Sequence, residues 1–582
     1  MENLLEELKS SETIIDKFID GKSYEISKID IKNNIFLSLS VRNINDVFKL
    51  EHNSDTDGSV DTFVSIYTNC KKYLNIDNLP ALGWDGYDSN YNNRMFEDIK
   101  LLSKYKMLFN ILPLFYRKNK NIYSLKGEGG KLFLNYESSD YFKYECYDIL
   151  LTRINSIVNF NNTFHGFDEL QLITRRYFSS DKFYISYDDQ IEVYKKFVGV
   201  YLNDYKNYFY LLSDDFLIPL ADFCLEDFKK FHAGVQVLNQ FSNEVLMCFL
   251  LSNPDLRENV QAHEILIESV LNKKENYTVF RDFFCRLTSL SQDTFEKIIK
   301  YFMDDQDSGR YDLSEDDYIV PFHKENGTIY FNSIFNVAMI SPRNLIYALN
   351  NLSNKINKDG KYDSVSKSLE INFSSYLRKI FESYGLTVIS PVNWKVSTKI
   401  KGEIDMVVIC DTSKKIPCIQ TKTVGAASNY RTLFSLQDNM NTAIEQLNRF
   451  NSQNSEFKNY VLSQISGRKV ENYEIISGLN SDGGLGNALV WKQIIDNDFI
   501  PFNIGLLVIF FEKYKNLFNF RENIYKLIDD LNNQTNPKLI KCEIDFTAEC
   551  SVPSIVHDSI DADYTQLKEE MILISKKHQS IS

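Results

Sequence analysis

The sequence predicts a mixed α/β fold spread over several domains, and three observations carry that expectation. The chain has 582 residues, several times what one hydrophobic core needs. Hydrophobic residues make up 43% and charged residues 25%, a balance that buries enough apolar surface to offset chain entropy and excludes wholesale disorder. Stretches with apolar residues at helical spacing are separated by short strand-like runs. With 11 Pro and 22 Gly and no fixed repeat, collagen-like, Pro-rich and solenoid architectures lose their compositional basis.

Taken in order, residues 1–160 form a mixed α/β N-terminal region. It opens on an acidic amphipathic helix, MENLLEELKSSETIIDKF. Strand-like runs follow in KSYEISKIDIKNNIFLSL and GGKLFLNYE, and KGEGGK at 126–131 reads as a hairpin turn. Residues 161–310 read as mainly helical, with the spacing clearest in YDDQIEVYKKFVGVYLNDY and SQDTFEKIIKYFMDD. This block suits a sensor or a partner-binding surface. Residues 311–355 hold a β pair, YIVPFHKENGTIYFNSIF, turned at Glu325, Asn326 and Gly327, and then a connector. Residues 356–470 read as helix, three strands, helix. The first helix sets Leu369, Phe373, Leu377, Ile380 and Phe381 on one face and ends at Gly385, a residue suited to a left-handed cap. Residues 471–582 form a C-terminal α/β extension expected to complete the same sheet.

The formal charge of −14 argues against a protein that coats nucleic acid by bulk attraction, so any such contact is local. Neither VLMCFLL at 245–251 nor IGLLVIFF at 504–511 reaches the roughly 20 residues of a membrane span. No basic and apolar leader is present, so a cytoplasmic location without membrane contact is expected. The nine cysteines show no CxxC and read as reduced thiols, and the dispersed histidines give no zinc pattern.

Chemistry concentrates in GEIDMVV and CIQTKTV. Side chains alternate along a strand, so Glu403 and Asp405 share one side and Gln420 and Lys422 share another. If these strands pair, four polar residues converge among apolar neighbours, where unpaired charge is costly. Carboxylate and amide oxygens suit a hard cation, and an ammonium suits the charge that develops on a scissile phosphate. Residues 391–470 carry eleven basic side chains against six acidic ones, the reverse of the chain as a whole. Lys399, Lys401, Lys414, Lys415, Arg431 and Arg449 are the expected backbone-phosphate contacts. The bland alternative for Asp405 and Lys422 is a cross-strand salt bridge without function.

These motifs, with an amphipathic helix on each side, resemble the PD-(D/E)xK nuclease superfamily, whose fold is the restriction-endonuclease-like α-β-β-β-α core. The QTK form is similar to the Mrr-type restriction enzymes. The resemblance implies Asp405 as the central metal-binding aspartate, Gln420 in place of the second acidic ligand, Lys422 as the catalytic lysine and Glu370 as the helix glutamate. Glu403 offers a further carboxylate, and Gln446 matches a glutamine on the following helix. It implies magnesium or manganese as cofactor and hydrolysis of DNA phosphodiesters in restriction or antiphage defence, with RNA offering the same bond. Ile404 stands where the family has proline, and Gln420 brings no charge to the metal. The competing reading is therefore an inactive nuclease-like subunit that holds nucleic acid and works with a separate effector such as an ATPase. A homodimer fits cleavage of two strands. A third reading, a buried sheet with a protein-docking helical block, predicts no salt-sensitive DNA binding.

Two other features read as structure. GLNSDGGLGNALVWK at 478–492 lacks the Lys-Ser/Thr of a P-loop and reads as a turn. The aromatic runs YFKYECYDILL and YKNYFYLL are helical core ahead of base-stacking platforms.

Overall fold

The computed structural model describes residues 2–20, 104, 122–160, 187–205, 208–252, 272–305, 307–309, 320–332, 336, 339–356, 362–423, 430–546 and 550–579. Among them the chain forms fifteen helices and fifteen strands in four sheets, a mixed α/β architecture. The strand-like run at 22–39 lies outside the described residues.

Helix α1 (Glu2–Asp20) buries Leu8 and Ile15, the apolar face that its sequence announces, and leans on strand β1 (Tyr123–Glu128). A Cβ at Gly127 would stand 2.8 Å from Leu4 Cδ2, so glycine admits the helix. β1 returns as β2 (Lys131–Tyr136) through Gly129 and Gly130, both at positive φ, as a tight two-residue hairpin demands. Helix α2 (Ser139–Phe160) follows and buries Tyr147, Leu150, Leu151 and Ile154.

The middle of the chain is helical with a small sheet. Helices α3 (Tyr187–Asp204), α4 (Asp214–Ala221), α5 (Leu225–Ser252), α6 (Tyr277–Thr288) and α7 (Gln292–Ile299) pack around an aromatic core. Phe228, Phe231, Phe284, Phe295 and Phe302 are all fully buried in it, so this aromatic richness is packing. The side chains of VLMCFLL at 245–251 lie outside the described residues. Strands β3 (Asn272–Asn276), β4 (Met303–Asp305), β5 (Phe322–Glu325) and β6 (Thr328–Asn332) form a sheet in the order β3-β6-β5-β4. The β5–β6 turn is Asn326-Gly327, both at positive φ, with Asp307 accepting from their two N–H groups. Helix α8 (Pro342–Ile356) leads to the last third of the chain.

There, helix α9 (Tyr362–Ser383) buries Phe373, Leu377, Ile380 and Phe381. It stops where Gly385 enters the left-handed region and Leu386 N–H bonds back to Phe381 O. The three strands expected next are five: β7 (Thr387–Ile389), β8 (Val392–Lys395), β9 (Lys401–Ile404), β10 (Met406–Ile409) and β11 (Lys415–Lys422). Pro391 has no N–H to extend β7, and the chain bends at Asp405 between β9 and β10. β8 and β9 leave as a separate hairpin. Helices α10 (Tyr430–Asn451) and α11 (Ser455–Ser466) precede β12 (Glu474–Ser481), α12 (Ala488–Asp496), β13 (Ile500–Asn503), α13 (Ile504–Tyr514) and α14 (Phe520–Gln534). The main sheet runs β13-β12-β11-β10-β7, antiparallel about β10 and parallel from β11 to β13. Ile504 to Phe511 of α13 are buried throughout, so IGLLVIFF is core.

Strands β14 (Lys538–Ile544) and β15 (Ser554–Asp561) join β1 and β2 in one sheet, order β1-β2-β15-β14, before helix α15 (Thr565–Gln579). Helix α2 is thus shared between this sheet and the main core. Its carboxylates hold the glycine-rich loop after β12. Asp148 Oδ1 accepts from Leu485 N, Gly486 N and Trp491 Nε1 at 2.6, 2.9 and 3.0 Å. Glu145 accepts from Ala488 N, and Asn487 caps the next two N–H groups of α12. The donors that a P-loop would offer to phosphate are here filled by the protein itself. The seven described cysteines are free thiols, and no described helix is long and apolar enough to cross a membrane.

Candidate functional site

Asp405 occupies the bend between β9 and β10, where strand geometry sets it opposite Gln420. Met406 pairs with Ile419 in the antiparallel ladder, and one step outward brings residues 405 and 420 together. Thr421 N donates to Asp405 Oδ2 at 2.8 Å, and Thr421 Oγ1 stands at 3.4 Å from the same oxygen. Burial pushes the Asp405 carboxyl above its ordinary value, against the Thr421 N–H and the Lys422 ammonium, which favour the ionised form. The carboxylates of Glu403 and Glu370 raise it further. Lys422, Glu403 and Glu370 therefore all act on Asp405.

Gln420 is fully buried. Its Nε2 donates to the Glu403 carbonyl at 2.7 Å, which fixes the amide and leaves Oε1 with no hydrogen-bond partner. Helix α10 packs across β9 and β11, and on it Gln446 carries a second buried oxygen without a partner. A buried acceptor left unmatched is costly, and a water or an ion would satisfy each. Glu370 on α9 and Glu403 on β9 are exposed. Among the described residues no group of three His, Cys, Asp or Glu side chains converges as a metal centre. The donors at hand are one inward carboxylate and a buried amide oxygen, with two exposed carboxylates in electrostatic reach. These are hard oxygens that fit magnesium or manganese in kind.

The expected phosphate contacts divide. Lys399 and Lys401 are exposed on the β8–β9 hairpin, whose second strand runs directly into Asp405. Arg449 is exposed in the last turn of α10, and the Arg431 side chain lies outside the described residues. Lys414 and Lys415 stand at the opposite end of β11 from Gln420 and Lys422, roughly 20 Å away along the strand. Lys415 pairs with Glu474, and Lys414 lies 4.7 Å from the centre of the Tyr473 ring. Both brace the β11–β12 pair away from the site.

Thr421 carries no signal in the sequence, because the contribution that counts is a backbone N–H. Strand β12 is likewise faint there, and its parallel register sets Asn480 and Ser481 beside Thr421 and Lys422. Asn480 is fully buried and fastens β12 to β13 through the Phe502 carbonyl. The polar ending LNS after an apolar strand was its one signal. No family model, curated protein or solved structure matches the chain, so the functional reading rests on these residues and their geometry.

Proposed function

We infer that residues 362–481 form a PD-(D/E)xK-type phosphodiesterase core, and that the protein is a metal-dependent DNA endonuclease of the restriction or antiphage kind. One observation carries the reading. The Gln420 amide is locked by its donor side, and its bare, buried oxygen belongs to the residue opposite Asp405. Support also comes from chain order, since α9, β7, β10, β11 and α10, with the β8–β9 hairpin inserted, follow the α-β-β-β-α course that the likeness implies.

Asp405 and Gln420 Oε1, with Glu370 or Glu403 for the second negative charge, would hold the ion. When bound, magnesium or manganese supplies Lewis-acid polarisation of a phosphoryl oxygen. The chain's own residues do the rest. Thr421 N–H steadies the Asp405 carboxylate against its burial. Lys422, near Asp405, donates to the nonbridging oxygens as charge grows on them during in-line attack of water. The bond to the 3′ oxygen breaks and that oxygen leaves with a proton from solvent.

A second reading is favoured by the neutral Gln420 and the exposure of Glu370 and Glu403: a nuclease-like subunit that holds DNA without cutting it. One experiment separates the two. Plasmid DNA is incubated with the protein and magnesium or manganese, beside EDTA, Asp405→Ala and Lys422→Ala. Metal-dependent nicking lost in both variants supports the nuclease, whereas salt-sensitive binding without nicking in all three proteins supports the second reading.

A further inference from the structure

The β8–β9 hairpin carries features that its packing does not use. Its base is fixed: Trp394 is buried against Phe450 and Phe457, and a Cβ at Gly402 would stand 2.6 Å from the indole. Its tip is closed by Val396 N to Ile400 O at 2.8 Å and by Ser397 Oγ, which accepts from Lys399 N and Ile400 N. Beyond this rigid frame the hairpin spends its side chains on solvent. Val396 and Ile400 are 47% and 42% exposed, although both are large aliphatic residues. Lys395, Lys399 and Lys401 are exposed as well, and no acidic residue lies between 395 and 401. Lys395 sits directly opposite Lys401 in the ladder, a like-charge pair that destabilises a free hairpin and that an anion between them would relieve.

Building on the proposed function, we propose that this hairpin is an arm that grips double-stranded DNA, with the three lysines on phosphates and Val396 and Ile400 entering the groove between them. Apolar side chains flanked by cations are suited to a groove walled by phosphates, where they wedge against base edges. An apolar protein surface would leave the paired lysines unmatched. From Lys399 to Asp405 the chain runs six residues, at most roughly 20 Å of strand. At about 3.4 Å per base pair, the arm meets the duplex within about six base pairs of the scissile phosphate.

The test uses the full chain with Asp405→Ala, chosen because it should not cut, and a short duplex with 2-aminopurine within about six base pairs of the expected cut. Affinity is read by anisotropy across a salt series. Substituting Lys395, Lys399 and Lys401 by Ala should lower the slope of log affinity against log salt by about 2 to 3. Val396→Ser with Ile400→Ser should weaken binding about tenfold at unchanged slope and abolish the 2-aminopurine response. Lys399→Ala alone, at an exposed loop position, keeps the charge arm of the test should the triple variant misfold. If the parent binds duplex and these variants bind it equally well, the arm is wrong while the nuclease-like reading stands. If the parent binds no DNA even at low salt, both fall.

Discussion

Removing the Asp148 carboxylate should unfasten helix α2 from the main sheet. Asp148→Ala strands three N–H donors of the 485–491 segment that are now bonded at 2.6 to 3.0 Å. Each orphaned buried donor costs roughly 1–3 kcal/mol. Against that stands the relief of burying a charge, since burial lifts the Asp148 carboxyl to about 6. That relief is at most about 3 kcal/mol, so the net loss is about 3 kcal/mol. In urea it should move the unfolding midpoint down by about 1 M. The reporter is built in: Trp491 donates its indole N–H to Asp148, so its fluorescence follows the same contact. Asp148→Asn keeps an acceptor without the charge and should lose less than about 1 kcal/mol. Asp140, exposed at the start of the same helix, provides the control. If Asp148→Ala unfolds at the midpoint of Asp140→Ala, the carboxylate does not hold the loop.

Further predictions follow from the same contacts. Burial lifts Glu145 to about 7 as well as Asp148 to about 6, so the folded state holds protons that the unfolded chain has released. Stability should therefore fall as pH rises from about 4 toward 7, and urea midpoints of Glu145→Gln/Asp148→Asn should flatten that slope. Asp405 ionises above its ordinary range, and Lys422 restrains the shift. In the pH–rate profile of DNA nicking, Lys422→Arg, which keeps the charge, should leave the acid limb near the wild-type position. An acid limb displaced to higher pH in Lys422→Arg would mean that the positive charge at 422 does not restrain the Asp405 shift. Gln420→Leu loses one 2.7 Å bond but also removes an unmatched buried oxygen. Its stability should change by less than about 1 kcal/mol while metal-dependent nicking disappears, and equal loss of both in calorimetry and nicking assays would make Gln420 merely structural. Gly402→Ala drives a methyl into the Trp394 ring and should cost about 1–3 kcal/mol with a change in the near-ultraviolet signal of that tryptophan.

The parts of the molecule that were legible in the sequence are those fixed by near neighbours. Gly129-Gly130 and Asn326-Gly327 announce their turns because few other residues accept positive φ, and Gly385 ends α9 for the same reason. That the strands of Asp405 and Gln420 could pair was legible too, but the register, Met406 opposite Ile419, was not. The breaks within the strands were not. Apolar content continues through Pro391 and Asp405, and only the missing proline N–H and the turn toward the hairpin interrupt the ladders. The sequence also set residues 123–136 and 538–561 in different regions, yet β2 and β15 lie side by side. Nothing local distinguishes a strand that waits for a remote partner from one that pairs with its neighbour. Asp148 and Leu485, 337 residues apart, are hidden in the same way.

That remote partnership has a consequence for the order of events at the ribosome. Lys131 and Glu543 meet across the β1-β2-β15-β14 sheet although 412 residues separate them. At roughly 5–20 residues per second, the first hairpin and α2 leave the exit tunnel roughly 20–80 s before the strands that complete their sheet. For that interval the edge of β2 that β15 will occupy has no partner. A nascent chain should thus carry an open strand edge, and with it a need for chaperones, until its last strands are made.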